Sequence, residues 1–224
     1  MAAAGDSVMR RFGAAGALLV VLAGLAWAQV RSTFLIDDPV GRDVVQILSV
    51  APLEVIVTRT NEVTAEISFN PDNALDNPQA KFTIDAAKLT TGIPLRDEHM
   101  RAASWFNVDQ YPTITLELKE VKTQFKTAKL EPNVPVDVDM VGALTLRGVT
   151  KDVPLKLNLT LLPRTDDTAA RLPGDLLRIV GSFDFHLSDF GLELDERSVL
   201  KIANRQQAQV WLLASTEPVP PPAG

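Results

Sequence analysis

The 224-residue sequence predicts an all-β domain. Apolar and polar residues alternate with period two through most of it, clusters rich in Gly, Pro, Asn and Asp cut the alternation into segments, and one short stretch alone carries helical features. The clearest segment places Val134, Val136, Val138, Met140, Gly142, Leu144 and Leu146 at successive even positions, with Asp137, Asp139, Thr145 and Arg147 among the odd ones. Such a pattern gives a strand one buried and one wetted face. After a turn at Gly148 to Asp152 it resumes as Val153, Leu155, Leu157, Leu159 and Leu161, so the two segments form a hairpin.

Six further strands follow from the same pattern: Asp43 to Ser49, Val63 to Phe69, Ala80 to Ile84, Ile114 to Leu118, Ile179 to Leu187 and Ala208 to Ala214. Turn clusters at Asn70 to Pro78, Glu131 to Pro135 and Thr165 to Gly174 separate them. Pro94 to Ser104 reads as a short helix, with Pro94 in its first turn, Asp97 and Glu98 at its positive end, and Asp97 spaced to meet Arg101. Eight strands with single-faced alternation are satisfied by a sandwich with a shared core or by a barrel with an apolar lumen. Alternation alone does not choose between them.

The chain divides into four parts. Residues 1–28 read as a cleaved secretory signal, with Arg10 and Arg11 ahead of an apolar stretch and Ala26-Trp27-Ala28 as a small-x-small site. An N-terminal segment, 29–42, precedes a barrel or sandwich domain, 43–214, and a proline-rich tail, 215–224. The signal points to a periplasmic or secreted domain.

Several classes of function are disfavoured. A formal net charge of −6, without runs of Lys or Arg, argues against a nucleic-acid partner. The absence of cysteine removes disulfides, thiolate metal sites, thiol nucleophiles and lipidated cysteine. His99 and His186 are the only histidines, and neither stands in a catalytic or metal-ligand motif; both read as surface residues. The carboxylate pairs Asp137/Asp139 and Asp195/Glu196 fit solvated surfaces, and Asn158-Leu159-Thr160 is a common glycosylation pattern of low specificity. No catalytic residue, metal site or cofactor is implied.

Three groups of residues together resemble a known family. They are Ile84-Asp85-Ala86-Ala87 through Thr91-Gly92, Arg96-Asp97-Glu98-His99-Met100 and Trp105-Phe106-Asn107 with Tyr111-Pro112-Thr113-Ile114; then Gly142 through Lys151; then Ser188-Asp189-Phe190-Gly191-Leu192. In this order, over about residues 40–214, they are similar to the YceI family. The resemblance implies a single eight-stranded antiparallel, lipocalin-like barrel with one short helix. It also implies a non-enzymatic, exported protein whose tunnel holds a polyisoprenoid, an isoprenoid quinone or a related long-chain lipid, with transient membrane contact. The residues expected to line that tunnel are Phe69, Phe82, Leu116, Val138, Met140, Leu144, Leu157, Phe183 and Phe185.

Two positions depart from the family's pattern: Val44 to Thr60 lacks the early histidine, and Leu187 stands where relatives tend to carry arginine. Both bear on head-group recognition more than on tail binding. Two other classes fit less well, a secreted interaction module with a solid barrel and a lipid-modifying enzyme using His99 as base.

Overall fold

The computed structural model describes residues 31–123 and 129–221; the signal-like segment lies outside the described residues. Ten strands follow in chain order: β1 (Ser32–Asp37), β2 (Val44–Val50), β3 (Val55–Thr60), β4 (Val63–Phe69), β5 (Gln79–Asp85), β6 (Thr113–Val121), β7 (Val136–Leu146), β8 (Val149–Leu162), β9 (Leu176–His186) and β10 (Arg205–Ser215). Helix α1 (Pro94–Arg101) lies between β5 and β6, and the single turn α2 (Asp166–Ala169) between β8 and β9. All pairings between these strands are antiparallel, in the order β1-β4-β5-β6-β7-β8-β9-β10, and β1 returns to β10 at Leu35–Ser215. This is a closed eight-stranded barrel. The hairpin β2–β3 joins β10 beside this closure, with Val44 to Leu48 paired to Trp211 to Gln207 and Val45 buried in the core.

The barrel is the one the resemblance implies, but its membership differs from the strands counted in the sequence. The ring takes in β1, from the segment assigned to lie ahead of the domain, and extends through Ser215, one residue into the expected tail. Phe34 and Ile36 are about 1% exposed, and Phe34 stacks on Phe69 with ring centroids 5.4 Å apart. Their alternation is too brief to stand out from its surroundings. Strand β3 is hidden for a different reason. Ile56 is buried beside Thr58 and Thr60 while Val55 and Val57 face solvent, so apolar residues fall on both faces and no alternation shows.

Two backbone features set the register. The β7–β8 hairpin turns on Arg147 and Gly148 alone, with φ 52° and 73°. That is a two-residue type I′ turn, whose twist matches the flanking strands. The strand therefore resumes at Val149, earlier than the five-residue turn expected. In β6 a bulge at Lys119 shifts the pairing, so that Leu118 faces Gly142 while Val121 faces Met140.

Closure leaves a seam on β10. Its earlier half pairs with β2 and Ser215 pairs with β1, and in between the Leu213 N–H donates to the Asp43 carboxylate at 2.8 Å. The backbone carbonyl of Asp43 accepts from Asn61 Nδ2. Upstream, Arg42 grips Asp38 through two side-chain bonds of 2.7 Å, turning the chain from β1 into β2. The hydrogen bond from Arg42 holds the Asp38 carboxyl at about 2 despite some burial. Asp43 goes the other way. Burial lifts its carboxyl to about 6, against the Leu213 hydrogen bond, and the nearby Asp38 charge adds to the rise while Arg42 and Arg171 oppose it.

A carboxyl whose native pKa is raised holds its proton more tightly folded than unfolded. Its neutral form therefore favours the fold below about pH 4, and that contribution is lost as pH rises through 6. Asp43→Asn keeps the acceptor without the charge. It should be more stable than the wild type by about 2–3 kcal/mol at pH 7.5, converging near pH 4, as read from urea denaturation at both values. An equal offset at the two pH values would count against this assignment.

Candidate functional site

The inward faces of the strands leave two apolar chambers along the barrel axis. The upper one, of about 300 Å³, is bordered by Ala74, Leu75 and Pro78 from the β4–β5 loop and by Leu130 and Val134 from the β6–β7 connection. Its walls come from β4 to β9. The lower one, of about 90 Å³, lies toward the opposite end and is floored by Leu89 and Phe106. Phe82, Leu116, Leu155, Leu157 and Ile179 line both, and so form a waist between them.

Every residue expected to line the tunnel stands on one of these walls. Phe69, Val138 and Met140 face the upper chamber; Leu144, Phe183 and Phe185 face the lower; Phe82, Leu116 and Leu157 sit at the waist. Alternation finds them because each lies on a regular stretch of strand. Lining residues that it misses have local causes. Val121 follows the bulge, which reverses the parity of β6. Leu130, Ala74 and Leu75 come from connections without period, and Leu89 and Phe106 from the segment that carries the helix.

Polar groups are scarce in the lumen. Gln79, Lys129 and Glu131 border the upper chamber at its loop end, and Thr115 is the polar residue on the lower wall. Leu187 is buried in the apolar cluster around the lower chamber, along with Phe185 and Phe190. The packing around the lower end is thus apolar at this position.

The floor is tied down from outside. Asp97, on α1, is buried and accepts from Thr90 Oγ1 at 2.6 Å, Thr91 Oγ1 at 2.5 Å and the Thr91 backbone N–H at 2.7 Å. Burial alone would raise its carboxyl, but these bonds, with the Arg101 charge, outweigh it and hold the group below the ordinary carboxylate range. The sequence spacing suggested a surface pair with Arg101; Asp97 turns inward instead, and Arg101 Nη2 donates to the Leu89 carbonyl. Thr90 and Arg59 exchange two backbone hydrogen bonds, and Arg96 pairs with Glu54. The β2–β3 hairpin, outside the ring, therefore anchors the segment that closes the lumen.

His99 is exposed on α1, away from both chamber walls, and His186 is exposed 3.8 Å from Asp189. Asp137 and Asp139 point outward from β7. Among the described residues, no three His, Asp or Glu side chains come together as a metal site.

The geometry defines a closed antiparallel β-barrel with a hollow, nearly all-apolar interior. The chain belongs to the YceI family: the model of the YceI-like domain matches residues 43–210. A UPF0312 protein of Pseudomonas aeruginosa is 32% identical over 137 residues, covering 61% of this chain and 63% of the relative. A UPF0312 protein of Pectobacterium atrosepticum is 36% identical over 94 residues, 41% of this chain and 43% of the relative. The chain thus spans less than two thirds of the length of these relatives.

Among solved structures, BcnA of Burkholderia cenocepacia superposes with a TM-score of 0.61 at 18% identity, covering 80% of this chain and 99% of BcnA. A polyisoprenoid binding domain from Saccharophagus degradans gives 0.60 at 17% identity, covering 84% and 99%. The Campylobacter jejuni YCEI protein gives 0.57 at 19% identity, covering 72% and 85%. At these identities the likeness is one of fold.

Asp97→Ala strands three donors behind the floor and should cost about 2–4 kcal/mol in urea denaturation, with Asp97→Asn costing less. A loss under about 0.5 kcal/mol would show that the floor does not depend on this carboxylate.

Proposed function

We propose that this protein is an exported lipid-binding carrier that sequesters a long-chain apolar ligand, such as a polyisoprenoid or isoprenoid quinone, inside the barrel. The observation that carries the reading is the lumen, which is hollow, walled by aliphatic and aromatic side chains, and nearly free of polar groups. An unpaired polar group in such a space is costly, whereas each buried methylene gains about 0.8 kcal/mol relative to water. A ligand matched to it is a hydrocarbon chain whose small polar end lies at the loop mouth, near Gln79, Lys129 and Glu131. The name of the Saccharophagus degradans neighbour, a polyisoprenoid binding domain, supports the same chemistry. The hollow interior weighs against a solid interaction module, and the outward position of His99 weighs against an enzyme working on a bound lipid.

The carrier acts near equilibrium with a membrane. A lipid leaving a bilayer moves between two apolar environments, so most of the gain relative to water cancels. Loading needs no charged clamp. The basic and apolar leader of residues 1–28 supports export.

Organic extraction of protein purified from its native compartment, followed by mass spectrometry, should release a long-chain lipid in near-stoichiometric amount. A clean blank from folded protein would overturn the carrier reading. Met140→Asp places a charge on the upper wall and should abolish loading, while Asp139→Asn, one residue along on the exposed face, should load as the wild type. Equal loading of both variants, each with a cooperative urea transition, would show that the lumen is not the site.

A further inference from the structure

The inward alternation of β7 and β9 is broken once in each strand, at the height of the waist. On β7, Met140 lines the upper chamber and Leu144 the lower, and the inward position between them is Gly142. On β9, Ile179 reaches both chambers and Phe183 the lower, and the position between them is Gly181. Neither glycine has the positive φ that would require one. Glycine inside a strand weakens it, so a reason other than backbone conformation is needed.

Space supplies the reason. A Cβ on Gly142 would lie 2.7 Å from Leu116 Cδ1 and 3.0 Å from Leu155 Cδ1, well inside carbon–carbon contact distance. Both leucines belong to the waist. Their side chains lie back over bare backbone, in the volume a side chain at 142 would fill. Gly181, on the other side of β8, has a different reason: a Cβ there would strike the backbone of Lys156 and Leu157 as well as the Leu157 side chain, so it serves the close approach of β8 and β9.

We propose that Gly142 is a length gate, holding the waist open so that a single long chain can thread from the upper into the lower chamber. The gate rests on the carrier reading above and deepens it: the ligand is one linear or methyl-branched chain, with its end group at the loops and its tail past Leu116 and Leu155. From Val136 to Gly142 the tilted strand covers roughly 15 Å of the barrel axis. Chains shorter than this end above the waist and are indifferent to it. Longer chains depend on it.

The test compares short and long isoprenols. Extracted protein is incubated with phosphatidylcholine vesicles carrying either geraniol or geranylgeraniol, the vesicles are removed by flotation, and bound alcohol is quantified. The wild type should load both. Gly142→Ala drives the Leu116 and Leu155 methyls into the waist, so geranylgeraniol loading should fall about tenfold while geraniol loading changes less than about twofold. Leu116→Ala in the Gly142→Ala background frees that volume and should restore geranylgeraniol loading, which a general folding defect would not permit. The gate is overturned if Gly142→Ala loads geranylgeraniol as the wild type does, or if both alcohols are lost together and the second substitution rescues neither. Failure of the wild type to load either alcohol would overturn the carrier reading itself, and the gate with it.

Discussion

The structure depends on one closure. A sheet of this size with a free edge is an incomplete container, and the edge is removed only where β1 pairs with β4 along its length and meets β10 at Ser215. The seam beside that contact places a carboxylate where a strand partner would stand, with Asp43 receiving the Leu213 N–H. The arrangement satisfies the backbone donor at the cost of burying an acid. It also explains why the turn just upstream is fixed so firmly by Arg42 and Asp38, since the chain must leave β1 and enter β2 against β10 within a few residues.

Given closure, the interior is decided by which side chains the strands turn inward. The wall is built from leucine, isoleucine, valine, phenylalanine and methionine, and polar residues gather where the loops meet solvent. Outside, the barrel carries cross-strand ion pairs such as Lys81–Glu117 and Lys119–Asp152, each well exposed and worth little individually. Under the carrier reading, selectivity would come from shape and exclusion, not from attraction at a fixed polar point. The β2–β3 hairpin, beside the eight-stranded ring, contributes Val45 and Ile47 to the lower chamber and braces the floor.

Much of this was legible in the sequence where structure is regular. Val138, Met140 and Leu144 declare their inward face because eleven residues of β7 run without interruption, and the same holds for Leu157 on β8 and for Phe183 and Phe185 on β9. The signal fails where a local event intervenes. A bulge conceals Val121, apolar residues on both faces conceal β3, and the six residues of β1 are too few to show that Phe34 and Ile36 are among the most buried side chains. The role of Asp43 lay beyond sequence reasoning altogether, because its partner is 170 residues away. Asp97 shows the limit of spacing rules: its distance from Arg101 was correct for a surface pair, but Thr90 and Thr91 offered three hydrogen bonds at closer range.

The pairing of Leu35 with Ser215 also orders events in time. A chain made from its N-terminus produces β1 first and the last residue of β10 nearly at the end, so the ring cannot shut until almost the whole domain exists. Hairpins such as β7–β8, with their two-residue turn, can form early and locally, whereas closure must bring together the most distant strands. Until then the apolar wall faces water and the edges of β1 and β10 lack their final neighbour. The feature that makes the finished barrel a sealed container thus makes its precursor an open, adhesive sheet, and the rate of the final closure sets how long that vulnerable state lasts.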